Sequence, residues 1–238
     1  FQEPSSALNP VFTVGTQLVS AIRAHRPMRA SEARRRAEEL LREVGLPDPA
    51  SRLDFYPHQL SGGQRQRVMI AMALSGGASL VIADEPTTAL DVTIQVQILD
   101  LLERLVRENG LSLLFISHDL GLITSICHRV AVVYAGEIVE TGATDVLMRR
   151  PLHPYMQGLA RCATNLDRVG IASGGIPGSP PVPGQWPEGC RFRTRCEHAI
   201  EGCEKAQVLR TIDDAHSVRC WRAEALQSLA AADEGVAA

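Results

Sequence analysis

The chain has 238 residues, of which 45% are hydrophobic and 21% charged, so it can bury the core of one large domain or two small ones. A formal net charge of −3 gives no electrostatic reason to expect nucleic acid as a partner. No apolar run approaches the ~20 residues that a transmembrane helix needs, so we expect a soluble chain that reaches a membrane only through partners.

Helical patterns dominate the first part of the sequence. Residues 1–12 contain two prolines and predict a loop, and a short helix is predicted over 13–25. A stronger helix is predicted over 31–45, capped by its first residue, a serine, because apolar residues recur on one helical face and charged residues on the other. After a loop over 47–59, the next helix is predicted over 61–74.

Two short apolar runs predict buried strands of a parallel sheet. The first covers 79–84 and the second 111–117, and both are short and uninterrupted. Between them, Asp91 can cap a helix over 93–109, and Gly110 can end it. This strand–helix–strand order implies parallel pairing through a right-handed crossover.

The rest of the sequence predicts smaller elements and a separate tail. A short helix is expected from Leu120, and strands over 130–134 and 137–140 predict a hairpin about Ala135-Gly136. Glycine and proline are frequent over 170–189, so this stretch is predicted to be a linker or an extended arm. A tail that contains several cysteines follows it.

Two adjacent carboxylates end the first predicted strand. Parallel sheets bind ligands at the carboxyl ends of their strands, where Asp84 and Glu85 stand. Asp84 can hold Mg²⁺ through water, and Glu85 can accept a proton from an attacking water molecule. Taken alone, the same pair also suits a strand that ends in two solvated acids.

The helix that begins near Ser61 has a glycine-rich start. Two glycines let the backbone approach an anion closely, and the free N–H groups of the helix can face a phosphate. A serine that merely caps a helix would look similar. The five residues Leu-Ser-Gly-Gly-Gln followed by Arg-Gln-Arg, at a suitable distance before the strand of Asp84, favour the phosphate interpretation.

Together these motifs resemble those of ATP-binding cassette (ABC) ATPases. His118 comes just after the second strand, where it could contact a γ-phosphate. Gln2 lies in a predicted loop, and only the resemblance indicates a function for it. Five motifs of the family occur here in the family's order. They are the Q-loop at Gln2, the signature at Leu60–Gln64, Walker B at Asp84-Glu85, the D-loop at Ala89-Leu90-Asp91 and the H-loop at His118.

The resemblance implies a role for each motif. Asp84 and Gln2 would help to hold Mg²⁺ and water, Glu85 would be the catalytic base, and His118 would sense the γ-phosphate of ATP. In this family two such domains pair head to tail, and Asp91 would link the two sites across the interface. The contacts to ATP held by the opposite subunit would come from Ser61, Gly62, Gly63 and Gln64.

One part of the nucleotide site is absent from these 238 residues. A P-loop needs Gly-x-x-x-x-Gly-Lys-Ser/Thr to hold phosphates and Mg²⁺, but Lys205 is the only lysine and stands in no such loop. Arginine replaces it poorly, because the loop is built around a compact ammonium group. Since the sequence opens at Phe1 within a Q-loop, we expect an N-terminal part that was removed or never encoded. We expect this chain alone to bind ATP poorly and to hydrolyse it negligibly.

Four cysteines in the tail have the spacing C-x5-C-x6-C-x16-C and suggest a thiolate site: Cys190, Cys196, Cys203 and Cys220. A cytosolic setting disfavours disulfides, and zinc sites usually include a tighter C-x2–4-C pair, whereas iron–sulfur clusters tolerate wider spacing. The spacing alone leaves metal binding and free thiols open.

The tail resembles that of the dipeptide, oligopeptide and nickel importer ATPases. The sequence His153-Pro154-Tyr155 resembles the start of their C-terminal extension, and the proline-rich stretch 176–181 fits the same subfamily. In these relatives the tail carries a [4Fe–4S] cluster. The resemblance therefore favours a cluster at the four cysteines, with Zn²⁺ as the second possibility.

The resemblance and the predicted strands together imply an α/β fold. It would consist of a partial P-loop NTPase (RecA-like) parallel sheet, an ABC helical lobe and a cysteine-rich C-terminal extension. Four parts are predicted: a Q-loop region over 1–12, a helical lobe with the signature over 13–75, the C-terminal part of the ATPase core over 76–150 and the extension over 151–238.

The resemblance implies an ATPase subunit of an ABC importer for dipeptides, oligopeptides or nickel chelates, on the cytoplasmic face of the cell membrane. Its cofactors would be ATP and Mg²⁺. Its partners would be a second ATPase subunit, two transmembrane permeases and an extracytoplasmic solute-binding protein, without nucleic acid. One alternative is a non-catalytic remnant that acts as an interaction or metal-binding module. An ABC ATPase acting on DNA or ribosomes is disfavoured by the charge balance and the cysteine tail.

Overall fold

The structure is a computed structural model that describes residues 7–88, 90–166, 175–213 and 216–227. The chain forms two compact units, Phe1–His118 and Asp119–Ala238. Within the described ranges, no helix combines the length and apolarity that a membrane crossing requires. The four-part division drawn from the sequence stays a prediction.

The described part of the first unit contains the helices α1 (Val14–His25), α2 (Ala30–Glu43), α3 (Pro49–Arg52) and α4 (Gly62–Leu74). The expectation that Ser31 caps the second helix is wrong, because that helix starts one residue earlier. The Glu32 carboxylate accepts the backbone N–H of Arg29 at 3.1 Å, so an acidic side chain closes this end. The predicted loop over 47–59 also contains α3 and a 3-10 turn.

Two parallel strands complete the first unit, as the sequence predicts. Strand β1 (Leu80–Asp84) pairs in register with β2 (Ser112–Ile116), and α5 (Val92–Asn109) connects them. Asp91 caps α5 through its Oδ1, which accepts the N–H of Ile94 at 3.0 Å, and Gly110 ends the helix with φ +63°.

The prediction that both strands are buried on each face is wrong. Ala83 and Phe115 are buried, but Leu80 and Ile82 on the opposite face are 50% and 58% exposed. Successive side chains of a strand point to opposite faces, so one covered face buries only every second residue. The strands pack the first unit's core on one side and expose apolar side chains on the other.

The second unit contains a four-stranded antiparallel sheet with the order β3-β4-β6-β5. Its strands are β3 (Arg129–Tyr134), β4 (Glu137–Ala143), β5 (Arg210–Asp213) and β6 (His216–Val218). The described helices of this unit include α6 (Leu120–Ile126), α7 (Thr144–Arg149) and α8 (Pro154–Leu166). The predicted hairpin is present as β3 and β4, whereas β5 and β6 were not predicted. The core of this unit contains a cluster of three aromatic rings. The ring centroid of Tyr134 lies 4.7 Å from that of Tyr155 and 5.1 Å from that of Phe192.

A buried carboxyl group ties the strands of this unit to the segment before α8. Glu140 is fully buried, and its Oε1 accepts the Leu152 N–H at 2.9 Å and lies 2.6 Å from Nε2 of His216. Its Oε2 accepts the His153 N–H at 2.7 Å. Burial raises the pKa of this carboxyl, and the three partners oppose that rise because each stabilises the ionised form.

Replacing Glu140 by alanine is expected to destabilise the second unit by about 3–5 kcal/mol, because three buried donors lose their acceptor. The two tryptophans of the chain, Trp186 and Trp221, both lie in this unit, so denaturant unfolding followed by tryptophan fluorescence reports on it. The control Asp145→Ala breaks an exposed ion pair with Arg149 and should cost at most about 1 kcal/mol. Equal losses for both variants would contradict the assigned role of Glu140.

Candidate functional site

The first part of the candidate site is the turn that follows β1. Glu85 has the left-handed backbone angle φ +46°, and its N–H donates to the carbonyl of Ile116 at 2.9 Å. The chain therefore leaves β1 while still bonded to the end of β2. This bond places the Glu85 side chain beside the residues that follow β2.

The Glu85 carboxylate is held by one hydrogen-bond partner on each oxygen. Its Oε1 lies 2.7 Å from Nδ1 of His118, and its Oε2 accepts the hydroxyl of Thr88 at 2.6 Å. Since an ionised carboxylate only accepts hydrogen bonds, Nδ1 of His118 carries the proton in this pair. The two partners fix both the position and the rotation of the carboxylate.

These partners also set the charge of Glu85. The hydrogen bond from Thr88 and then that from His118 lower the pKa of the carboxyl, since both stabilise its ionised form. The Glu85 side chain is 20% exposed and that of His118 is 79% exposed. An ionised carboxylate at a partly open position can orient water and accept a proton from it.

Asp84 stands one residue earlier, at the carboxyl end of β1. It is exposed and opposite Ile116 in the strand register. It also lines a cavity of about 270 Å³, most of whose lining residues belong to α4 and β1. Its position and exposure suit the water-mediated Mg²⁺ contact predicted from the sequence.

The glycine-rich motif forms the N-terminus of α4. The hydroxyl of Ser61 accepts the N–H of Gln64 at 3.3 Å, and Oε1 of Gln64 accepts the N–H of Ser61 at 3.1 Å. This reciprocal capping holds both side chains against the first turn of the helix. The Ser61 hydroxyl keeps its own proton, which it can donate to an anion at the helix end.

The motif packs directly against the start of α5. A β-carbon on Gly63 would lie 2.6 Å from Cγ2 of Ile94, whereas one on Gly62 would lie 3.3 Å from Cδ2 of Leu90. Only the first approach is too close for any real β-carbon. Gly63 therefore has a packing role besides any contact with phosphate, and it connects the signature helix to the helix that Asp91 caps.

The structure brings some predicted site residues together and leaves others separate. Asp84, Glu85 and His118 meet at the ends of β1 and β2, while the Ser61–Gln64 motif and Asp91 lie at two helix N-termini in mutual contact. Gln2 and Ala89 lie outside the described residues. The sequence interpretation missed Thr88, although a hydroxyl three residues after a carboxylate in a Pro-Thr-Thr turn was a usable signal.

The four predicted tail cysteines line one cavity of about 20 Å³ in the second unit. The backbone N–H of Cys190 donates to the carbonyl of Cys203 at 2.9 Å, which joins two of the cysteine-bearing turns. Gly189, with φ +71°, makes this possible, since a β-carbon there would lie 2.4 Å from that same carbonyl oxygen. The loops are thus built so that the thiols converge.

Burial disfavours the thiolate form at three of the thiols of this cavity. Burial raises the pKa of Cys190, Cys196 and Cys220, and for Cys220 it reaches about 11 with a further contribution from the other three thiols. Among the residues that the structure describes, no three His, Cys, Asp or Glu side chains are arranged to hold a metal ion. A cation in the cavity would require the thiols to lose protons and turn towards it.

Two family models match this chain. Residues 1–88 match the model described as "ABC transporter", and residues 139–203 match "Oligopeptide/dipeptide transporter, C-terminal region". The matched ranges contain the candidate nucleotide motifs up to Thr88 and three of the four tail cysteines.

Several curated relatives are similar over most of the chain. A peptide import ATP-binding protein of Brucella abortus is 49% identical over 220 residues, which cover 92% of this chain and 66% of that protein. Another, from Brucella melitensis, is 48% identical over 229 residues, covering 93% of this chain and 68% of that protein. The chain thus spans about two thirds of the length of these relatives.

Solved structures of cassettes share the fold. The ATP-binding cassette MJ0796, in a dimeric post-hydrolysis state bound to ADP and Pi, is 31% identical with a TM-score of 0.53, covering 60% of this chain and 61% of its own. The cbiO1 protein of Clostridium perfringens, part of the complex cbiONQ, has a TM-score of 0.56 over 71% of this chain and 62% of its own. At 24% identity the second shows the fold alone.

Replacing Gly63 by alanine is expected to destabilise the first unit by about 1–3 kcal/mol, because Cγ2 of Ile94 cannot move away without displacing α5. Gly62→Ala is the matched control and should be neutral or slightly stabilising, since the Leu90 side chain can move and alanine favours a helix. Chemical denaturation followed by far-UV circular dichroism measures both. Adding Ile94→Ala should recover part of the Gly63→Ala loss, and no recovery would refute this contact as the cause.

Proposed function

Because this chain belongs to the family of ABC transporter ATP-binding proteins of the oligopeptide/dipeptide type, we propose that it is the ATP-binding subunit of an importer for dipeptides, oligopeptides or nickel chelates. The observation that carries this proposal is the Glu85 carboxylate, held ionised by His118 and Thr88 at the ends of two parallel strands. This is where a parallel sheet presents groups to a bound nucleotide.

In the proposed reaction Glu85 is the general base. Its carboxylate accepts a proton from the water that attacks the γ-phosphate of ATP, while the N–H of His118 and the hydroxyl of Thr88 keep it oriented. Asp84 would hold Mg²⁺ through water at the strand end, a task in which the resemblance also includes Gln2. His118 lies beside the reacting phosphate and responds to its presence through the bond to Glu85.

The signature motif serves a different nucleotide. The N-terminus of α4 offers free N–H groups and the Ser61 hydroxyl to the phosphates of ATP bound by a second ATPase subunit. Asp91 follows at the N-terminus of α5, and the Gly63–Ile94 contact links the two helix ends. A displacement of the N-terminus of α4 would therefore also displace the N-terminus of α5.

The proposed assembly contains a second ATPase subunit, two transmembrane permeases and an extracytoplasmic solute-binding protein, with this chain peripheral on the cytoplasmic face. Its own nucleotide half-site lacks a P-loop within the 238 residues, whose only lysine is Lys205. We propose that the chain alone does not turn over ATP, whereas its signature can complete the site of a subunit that has a P-loop. The competing function is a non-catalytic interaction or metal-binding remnant.

Mixing the chain with a complete ATPase subunit of the same transporter is expected to raise ATP turnover above that of the complete subunit alone. Ser61→Arg should abolish the increase, because the larger side chain blocks the end of α4. Glu85→Gln should leave the increase intact, because the water in that site belongs to the partner's base. A phosphate-release assay measures all three, with Ser31→Arg on the exposed face of α2 as the matched control.

Turnover by the chain alone should not exceed that of its Glu85→Gln variant. Glu85-dependent turnover without a partner would contradict the proposed division into two half-sites. An absence of any increase on mixing would favour the non-catalytic remnant.

We propose that the four tail cysteines hold a [4Fe–4S] cluster, with zinc as the alternative. The donor set fits a thiolate-ligated centre, since four sulfurs line one cavity whose described walls contain no Asp or Glu. A buried N–H of His153 without a partner among the described residues lines the same cavity. The small volume of about 20 Å³ is the observation that favours a single zinc ion. When bound, a cluster would supply one-electron redox capacity or a structural crosslink.

Anaerobically purified protein is expected to absorb broadly in the visible range and to contain four iron and four sulfide per chain, the composition of one [4Fe–4S] centre. Cys220→Ser should lower the iron content, while Cys162→Ser, at a position on α8 outside the cavity, should not. Absorbance and elemental analysis provide the measurement. Colourless protein with one zinc per chain would contradict the cluster and establish the alternative.

A further inference from the structure

One buried side chain that lines the cysteine cavity has a ring nitrogen without a hydrogen-bond partner among the described residues. His153 is 1% exposed, and its Nδ1 accepts the backbone N–H of Tyr155 at 3.1 Å. The ring proton therefore resides on Nε2, which has no hydrogen-bond partner among the described residues. An unpaired buried donor destabilises a fold, so this N–H calls for a partner other than the described residues.

The ring is held so that Nε2 cannot turn to solvent. The His153 backbone N–H donates to the buried carboxylate of Glu140, and Pro154 begins α8 immediately afterwards. The ring packs at 5.8 Å from the Phe192 ring, measured between centroids. Burial lowers the pKa of His153 to about 4, so the imidazole is neutral near pH 7 and offers a single N–H.

Four of the side-chain acceptors that line the cavity are sulfurs. The described lining contains four cysteines but no Asp or Glu, and the side-chain oxygen of Gln207 already accepts the N–H of Trp221 at 3.3 Å. A thiolate sulfur, or a sulfide of a cluster, accepts an N–H readily once it carries negative charge. The missing partner of His153 and the convergence of four sulfurs on one cavity point to the same bound centre.

We propose that the Nε2–H of His153 donates a hydrogen bond to a sulfur of the metal centre held by Cys190, Cys196, Cys203 and Cys220. His153 is thus a positioning residue of that centre and not a ligand. The inference rests on the proposed metal site. Its consequence is electrostatic: a hydrogen bond to sulfur stabilises the more negative, reduced state and raises the reduction potential of a cluster.

Three variants of the full chain test this role. His153→Leu removes the donor and should shift the midpoint potential of the cluster to a more negative value at unchanged iron and sulfide content. His153→Gln retains an N–H and should recover part of the shift. His128→Leu, at an exposed position outside the cavity lining, is the matched control and should leave the potential unchanged. Redox titration followed by electron paramagnetic resonance gives the potentials.

The outcomes separate this inference from the proposed cluster. Metal analysis of the wild type decides the cluster, and an unchanged potential in His153→Leu at full cluster content overturns the role of His153. If the wild type holds zinc, the cluster proposal fails. His153→Leu is then expected to weaken zinc binding about 10–100-fold in a chelator competition. Unchanged zinc affinity in this variant would overturn the role of His153.

A measurement on the unmutated protein covers the case in which His153→Leu does not fold. Long-range ¹⁵N–¹H correlation spectra assign the tautomer of His153, and the Nε2 proton should change its chemical shift when a zinc-loaded protein is stripped of metal. A protonated Nδ1, or an Nε2 proton that is insensitive to metal, overturns the inference. Wild-type protein that holds neither iron nor zinc overturns it together with the metal site.

Discussion

The in-register pairing of β1 with β2 is the constraint on which the candidate catalytic site depends. Asp84 lies opposite Ile116, so the Glu85 N–H meets the Ile116 carbonyl and His118 follows two residues beyond. A shift of one residue would turn every side chain of one strand to the other face. The carboxylate of Glu85 would then lose His118, and with it one of the two bonds that keep it ionised and oriented.

The sequence was sufficient to locate this pair of strands but not the contacts made at their ends. Short apolar runs separated by a capped helix predict parallel strands, and parallel strands place their carboxyl ends at one edge. Whether Glu85 reaches His118 depends on its φ of +46°, which a glutamate adopts only when the surrounding structure imposes it. Local sequence carries no signal for that angle, so the hydrogen bonds of Glu85 had to come from the structure.

The sequence wrongly predicted the burial of the parallel strands and did not predict β5 and β6, and both outcomes have simple physical causes. Uninterrupted apolar residues favour a strand buried on both faces, yet Leu80 and Ile82 are exposed, because the described part of the unit covers only one face of β1. Strands β5 and β6 are short, and they contain Arg210 and His216, so no apolar run marks them. They form because β4 offers an edge to pair with, which is a property of the folded unit and not of their sequence.

The second unit shows how a buried polar group can organise a site at a distance from itself. A carboxylate without water is costly, and Glu140 is tolerated because three donors surround it. One of those donors is the backbone of His153, so the residue that connects β4 to His216 of β6 also fixes where the imidazole lies. Cysteine spacing and resemblance predicted the thiol site, but neither indicated this histidine. The proposed role follows only when both nitrogens are accounted for: Nδ1 accepts the N–H of Tyr155, and Nε2 is buried without a partner among the described residues, in a side chain that lines the cavity of the four cysteines.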